Sequence, residues 1–144
     1  MRLDKYISTN YHCTRNRAQF FIEQELVFMN EEPAKKASQD VGDSDIVRII
    51  DDKRVHFVSR SAMKLDAFLD EIKLSIQGKI CLDIGASTGG FTQVLLMKEV
   101  RSICAVDVGS LQLHPSLRQD SRVTCIENMD IRNFQTDKIF DLIV

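Results

Sequence analysis

Neither sign of charge dominates this 144-residue sequence: 19 Lys and Arg against 21 Asp and Glu leave a formal charge of −2. No global cationic field therefore points to nucleic acid. No apolar run approaches the roughly 20 residues that span a bilayer. The opening Met1-Arg2-Leu3-Asp4-Lys5-Tyr6 has neither the apolar stretch nor the small-residue cleavage site of a secretory signal. Both absences predict a cytoplasmic protein with no membrane partner. Paired cysteines are missing as well. Cys13, Cys81, Cys104 and Cys125 form no CxxC, and His12, His56 and His114 are equally scattered, so no metal site is expected. Three of the cysteines lie in short apolar runs and read as small buried hydrophobes in a reducing compartment. Internal repeats and low-complexity stretches are also absent. What is present is 44% hydrophobic residues, enough for a globular core and too many for a disordered tail. The length suits one average domain or two small ones.

The balanced total hides a local asymmetry. The first 17 residues carry Arg2, Lys5, Arg15 and Arg17 against Asp4 alone, a net +3. Leu3, Tyr6 and Ile7 share one face of a short helix. Thr14 is a good N-cap for a second helix with Ala18, Phe21, Ile22 and Leu26 apolar. Arg15 and Arg17 then sit in its first turn, where cations oppose the helix dipole. The same place suits a phosphate, which free N–H groups and guanidinium forks can hold; a solvated helix end is the competing reading. Residues 26–30 read as a strand, 31–34 as a turn, and 45–50 as a second strand. This helix–helix–strand–strand unit is too small for a deep core and reads as an appended module.

From Val55 onward strands alternate with helices. Ser59 is expected to cap a helix with Ala62, Leu65, Phe68, Leu69 and Ile72 on one face. Short apolar strands follow at 79–84, 102–107 and 122–126, and another opens at 140–144. Continuous apolar strands separated by helices predict a parallel sheet covered on both faces. The chemistry concentrates in Leu82-Asp83-Ile84-Gly85-Ala86-Ser87-Thr88-Gly89-Gly90-Phe91. A strand ending in an acid, a glycine loop and a helix make a nucleotide-type site at a strand's carboxyl end. The spacing is Gly-x-x-x-Gly, not the GxGxxG of dinucleotide binders. An acid at the mouth repels phosphate and suits a cationic, hydroxyl-bearing ligand such as S-adenosylmethionine. Gly85 and Gly89 are expected to let the backbone lie against that ligand. Asp107, 24 residues after Asp83 and at the end of the next strand, can accept ribose hydroxyls. Asp130, after the third strand, falls near the adenine amino group. Lys64 is either a solvated helical charge or a group that orients or deprotonates a hydroxyl.

These residues resemble a known family. Arg2-Leu3-Asp4-Lys5, Thr14-Arg15-Asn16-Arg17-Ala18 and Asn30 are similar to the S-four type of RNA-binding domain. Val58-Ser59-Arg60-Ser61-Ala62-Met63-Lys64-Leu65, Cys81 to Phe91, and Ala105-Val106-Asp107-Val108-Gly109 resemble the FtsJ-like methyltransferase fold. That pair in this order resembles the TlyA (haemolysin A) family. The resemblance implies an S-four-type domain at 1–54 and, at 55–144, the N-terminal part of a Rossmann-like α/β methyltransferase sheet. It also implies methyl transfer from S-adenosylmethionine to a ribose 2′-hydroxyl of ribosomal RNA. Cofactor contacts are expected at Asp83, Gly85, Ser87, Gly89, Gly90, Phe91, Asp107 and Asp130, and RNA contacts at Arg2, Lys5, Arg15 and Arg17. Lys64 matches the first lysine of the family's Lys-Asp-Lys-Glu set, whose other members are expected beyond Val144; Asp141 is not one of them. The alternative is a catalytically incomplete RNA-binding fragment with weak donor binding. An unfinished sheet predicts marginal solubility, a partner chain or self-association. Where many S-four-type domains have glycine before the first strand and after Asn30, this chain has Glu25 and Glu31, at positions that call for positive φ.

Overall fold

Apolar spacing and a capping threonine produce the first two helices, α1 (Leu3–Asn10) and α2 (Arg15–Glu23). In a computed structural model describing all residues 1–144, the chain divides into two units, Met1–His56 and Phe57–Val144. In the first unit Leu3 and Ile7 of α1 pack with Ala18, Phe20, Phe21 and Ile22 of α2, all buried. The Thr14 hydroxyl accepts the Arg17 N–H at 3.2 Å, satisfying one orphan donor of α2.

A small antiparallel sheet completes this unit. Strand β1 (Val27–Met29) lies between β2 (Glu32–Pro33) and β3 (Val47–Ile49). The expected turn at 31–34 therefore also contributes an edge strand, where a proline without an N–H is tolerated. Glu25, Asn30 and Glu31 all take positive φ, at 57°, 52° and 67°. The two glutamates stand where the chain needs a left-handed residue, at positions where many S-four-type domains have glycine.

The second unit is a parallel sheet of β4 (Ile80–Ile84), β5 (Ser102–Val106), β6 (Val123–Ile126) and β7 (Leu142–Ile143), in the order β6-β5-β4-β7. Helix α3 (Ser61–Ile72) precedes β4, α4 (Gly90–Met97) connects β4 to β5, and a single turn α5 (Pro115–Arg118) comes before β6. Ala62, Leu65, Leu69, Val94 and Leu95 pack with Cys81, Ile103 and Ala105 of the sheet. The opposite face, Leu82, Cys104 and Val106, is covered by Met129, Ile131, Phe134 and Phe140, from irregular chain and one 3-10 turn (Ile131–Asn133) rather than by an α-helix. Cover is incomplete there, because Ile84 and Ile143 stay 41% and 58% exposed. Asp141 is a structural acid: its carboxylate accepts the Ile80 N–H at 2.8 Å at the start of β4.

Two details of α3 differ from expectation. Arg60, not Ser59, is the N-cap, and the Ser59 hydroxyl bonds that of Ser61 instead. The buried stripe is Ala62, Leu65, Asp66 and Leu69, the i, i+3, i+4, i+7 set, which leaves Phe68 and Ile72 beside it and exposed. Asp66 tolerates burial because Lys98 pairs with it at 3.6 Å. No helix is long and apolar enough to cross a membrane.

Candidate functional site

Parallel pairing sets Asp83 opposite Ala105 and Ile84 opposite Val106, so Asp107 projects one residue beyond the paired ends. Asp83 is only 1% exposed, and the Thr92 hydroxyl on α4 donates to it at 2.7 Å. Burial raises the Asp83 pKa, the Thr92 hydrogen bonds oppose that shift, and the Asp107 charge adds to it. The acid thus anchors the start of α4 while lining a hollow of about 420 Å³ with Gly85, Ser87 and Phe91.

Gly85 has φ +75° and nothing within 4 Å of the position a Cβ would take, so a ligand can lie on its backbone. Asp107 accepts the Ser87 N–H at 2.7 Å through one oxygen and the Gly109 N–H at 2.8 Å through the other. Each oxygen retains acceptor capacity for a hydroxyl. Asp107 and Asp130 line a second hollow of about 150 Å³ that shares Ile84 and Gly85 with the first. Asp130 caps the following single-turn helix by accepting the Arg132 N–H at 2.9 Å, and its pairing with that guanidinium holds its pKa low.

The remaining expected residues lie elsewhere. Gly89 and Gly90 line neither hollow. A Cβ on Gly89 would come within 2.4 Å of Leu117, and one on Gly90 within 2.2 Å of the Ser59 hydroxyl and 2.9 Å of the Ala62 backbone nitrogen. Both glycines serve packing behind the site. Lys64 is exposed and outside the lining, on the same side of α3 as Ser61 by its i+3 spacing. Ser59, Arg60 and Ser61 also line the first hollow, and Val108, Met129 and Ile131 surround Asp107 in the second, none of them among the residues expected from sequence. The first three lay inside the quoted Ser-Arg-Ser motif, and Val108 directly follows the strand-end acid.

In the first unit, Asp4 is far more than a compensating charge. Fully buried, it accepts from Arg2 at 3.0 and 3.1 Å, from Arg15 at 2.8 Å and from Gln19 at 3.1 Å. The Arg2 bond, with those of Arg15 and Gln19, holds its carboxyl well below the usual range against the cost of burial. Arg2 and Arg15 keep about half their side-chain surface in water, at 50% and 53%. Arg17 bonds the Val55 carbonyl and lies over the Phe21 ring, while Lys5 is exposed.

Comparison with known proteins agrees with this geometry. Residues 57–144 match the FtsJ-like methyltransferase family and residues 1–47 the S4 domain. The chain is 39% identical to the 23S rRNA (cytidine-2′-O)-methyltransferase TlyA of Campylobacter jejuni, over 99% of this chain and 63% of the relative. It is 38% identical to Hemolysin A of Brachyspira hyodysenteriae, over 98% of this chain and 58% of the relative. It thus spans about three fifths of the length of these two curated relatives. A Streptococcus thermophilus structure described as a hemolysin superposes with a TM-score of 0.56 at 35% identity, covering 94% of this chain and 50% of that one. Both the matched segment and the paired acids around an open glycine lead to the same place: the chain belongs to the FtsJ-like methyltransferase family, with an S4 domain ahead of the methyltransferase fold.

Proposed function

We propose that the protein is an S-adenosylmethionine-dependent ribosomal RNA methyltransferase acting on a ribose 2′-hydroxyl, in the cytoplasm. One observation carries this reading: two carboxylates, Asp83 and Asp107, end neighbouring parallel strands on either side of Gly85, whose backbone is open. The residues suit the cofactor. Asp107, held by two backbone N–H groups, keeps acceptor capacity that suits ribose hydroxyls, and the buried Asp83 suits the ammonium group. Apolar Val108, Met129 and Ile131 offer walls for a purine, with Asp130 at its edge. Bound S-adenosylmethionine supplies an electrophilic methyl group.

Residues 1–54 hold the RNA in this reading and residues 55–144 hold the donor. Arg2, Lys5, Arg15 and Arg17 contact phosphates, with Asp4 fixing the guanidiniums of Arg2 and Arg15 in place. Lys64 orients the 2′-hydroxyl and takes part in removing its proton, a role supported by the resemblance and by its spacing from Ser61. That hydroxyl marks the substrate as RNA. Name and sequence of the Campylobacter jejuni relative favour this over a non-catalytic fragment. The exposed Ile84 and Ile143 support association at that sheet face, which size-exclusion chromatography checks.

The test separates binding from transfer. Calorimetry with S-adenosylmethionine should show binding that Asp107→Ala weakens at least ~10-fold, the worth of one lost hydrogen-bonded charge. Tritium transfer from labelled donor to ribosomal RNA should disappear in Lys64→Ala. Absence of donor binding by the unaltered chain refutes the proposal.

A further inference from the structure

A cavity of about 550 Å³ in the N-terminal unit plays no part in the donor site. Tyr11, His12, Arg17, Phe21, Ile50 and His56 line it. Its shape is held by specific contacts. Phe21 is buried with the Arg17 guanidinium 5.4 Å from its ring centroid, and that guanidinium is anchored on the Val55 carbonyl. Tyr11, 42% exposed, donates its hydroxyl to the Val47 carbonyl at 3.1 Å, which fixes its ring at the rim. His56, also in the lining, lies 3.4 Å from the Asp51 carboxylate. His12 takes a left-handed φ of 50° in the turn after α1.

We propose that this cavity receives an unstacked base of single-stranded RNA. Its size falls within the ~300–1,000 Å³ of small-molecule sites, ample for a base with its ribose. Three exposed π-faced side chains, Tyr11, His12 and His56, and the Arg17 guanidinium line it with Ile49 and Ile50, the kinds of surface on which unpaired bases stack. Thr14, Asp51 and the two imidazoles add donors and acceptors that can meet a heterocycle's edge. Arg17, in the first turn of α2, places cationic charge in the lining, where the phosphates of the same strand run. A fatty chain would leave those polar groups unpaired, and a paired base cannot enter without leaving its duplex. The inference rests on the N-terminal unit being the RNA-binding one, and it adds where and in what state the RNA is held.

Fluorescence anisotropy with the whole 144-residue chain tests it, using an RNA hairpin with one extrahelical purine and the same hairpin fully paired. The bulged hairpin is expected to bind about tenfold tighter, the worth of one stacked base. Tyr11→Ala and His56→Ala each remove that preference and leave the paired hairpin unchanged. Tyr11→Phe, which keeps the ring but loses the bond to Val47, retains it. Equal binding of both hairpins by the unaltered chain overturns the proposal. So does a preference that survives both alanine variants, or a loss in Tyr11→Ala that strikes both hairpins alike. Failure to bind either RNA overturns the RNA reading beneath it as well, so the two failures are distinguishable.

Discussion

Asp4 ties its unit's stability to pH. Its folded pKa lies below the usual range, and Asp52, hydrogen-bonded and paired with Arg54, is lowered to about 2. A depressed carboxyl stabilises the fold fully above its unfolded value near 4 and loses that contribution as pH falls through the folded value. Urea midpoints of the N-terminal unit should therefore be flat from about pH 7 to 5 and fall between about pH 4 and 2. Asp83 runs the other way. Its pKa is raised by burial, so at neutral pH its charge opposes folding. Asp83→Asn keeps an acceptor for the Thr92 hydroxyl and should leave the melting temperature level or higher, while donor affinity falls at least ~10-fold by calorimetry. A drop of more than about 5 °C would show that the charge itself holds α4 in place.

Backbone geometry governs the elements. Glu25, in the α2–β1 connection, has φ 57°, a conformation that costs a β-carbon-bearing residue on the order of 1 kcal/mol. Glu25→Gly should raise stability by up to about 1 kcal/mol, read as an increase in urea midpoint at constant slope. Gly90 makes the opposite case. An added Cβ meets two hydroxyls and the Ala62 backbone nitrogen, so Gly90→Ala must separate α3 from α4. The expected cost is about 2 kcal/mol of overpacking, a fall of roughly 10 °C for a unit of this size. The positive φ at Glu25 and Glu31 could be anticipated from the resemblance to S-four-type domains, many of which have glycine at those two positions. The reason for Gly90 could not, since Ser59 and Ala62 reach it only through the packing of two helices.

For the molecule as a whole, two units with separate cores imply two responses to ligand. S-adenosylmethionine at about 100 times its dissociation constant should stabilise the unit spanning residues 57–144 by about 2.7 kcal/mol and leave the Asp4-centred unit unmoved. Calorimetric scans with and without donor check this; one transition shifting as a block would contradict it. The alternation of short apolar strands and helices, the acids at successive strand ends and the glycine loop between them were legible in the chain. So was the capped α2. Those features follow from periodicity and turn chemistry, which act between near neighbours. Only the tertiary structure decided that Asp4 is the buried hub of Arg2 and Arg15, that Phe68 and Ile72 face water while Asp66 does not, and that Tyr11 and His56 line one cavity. A charge's burial, a helix's rotation about its axis and the closing of a hollow all depend on groups distant in sequence, and no local pattern encodes them.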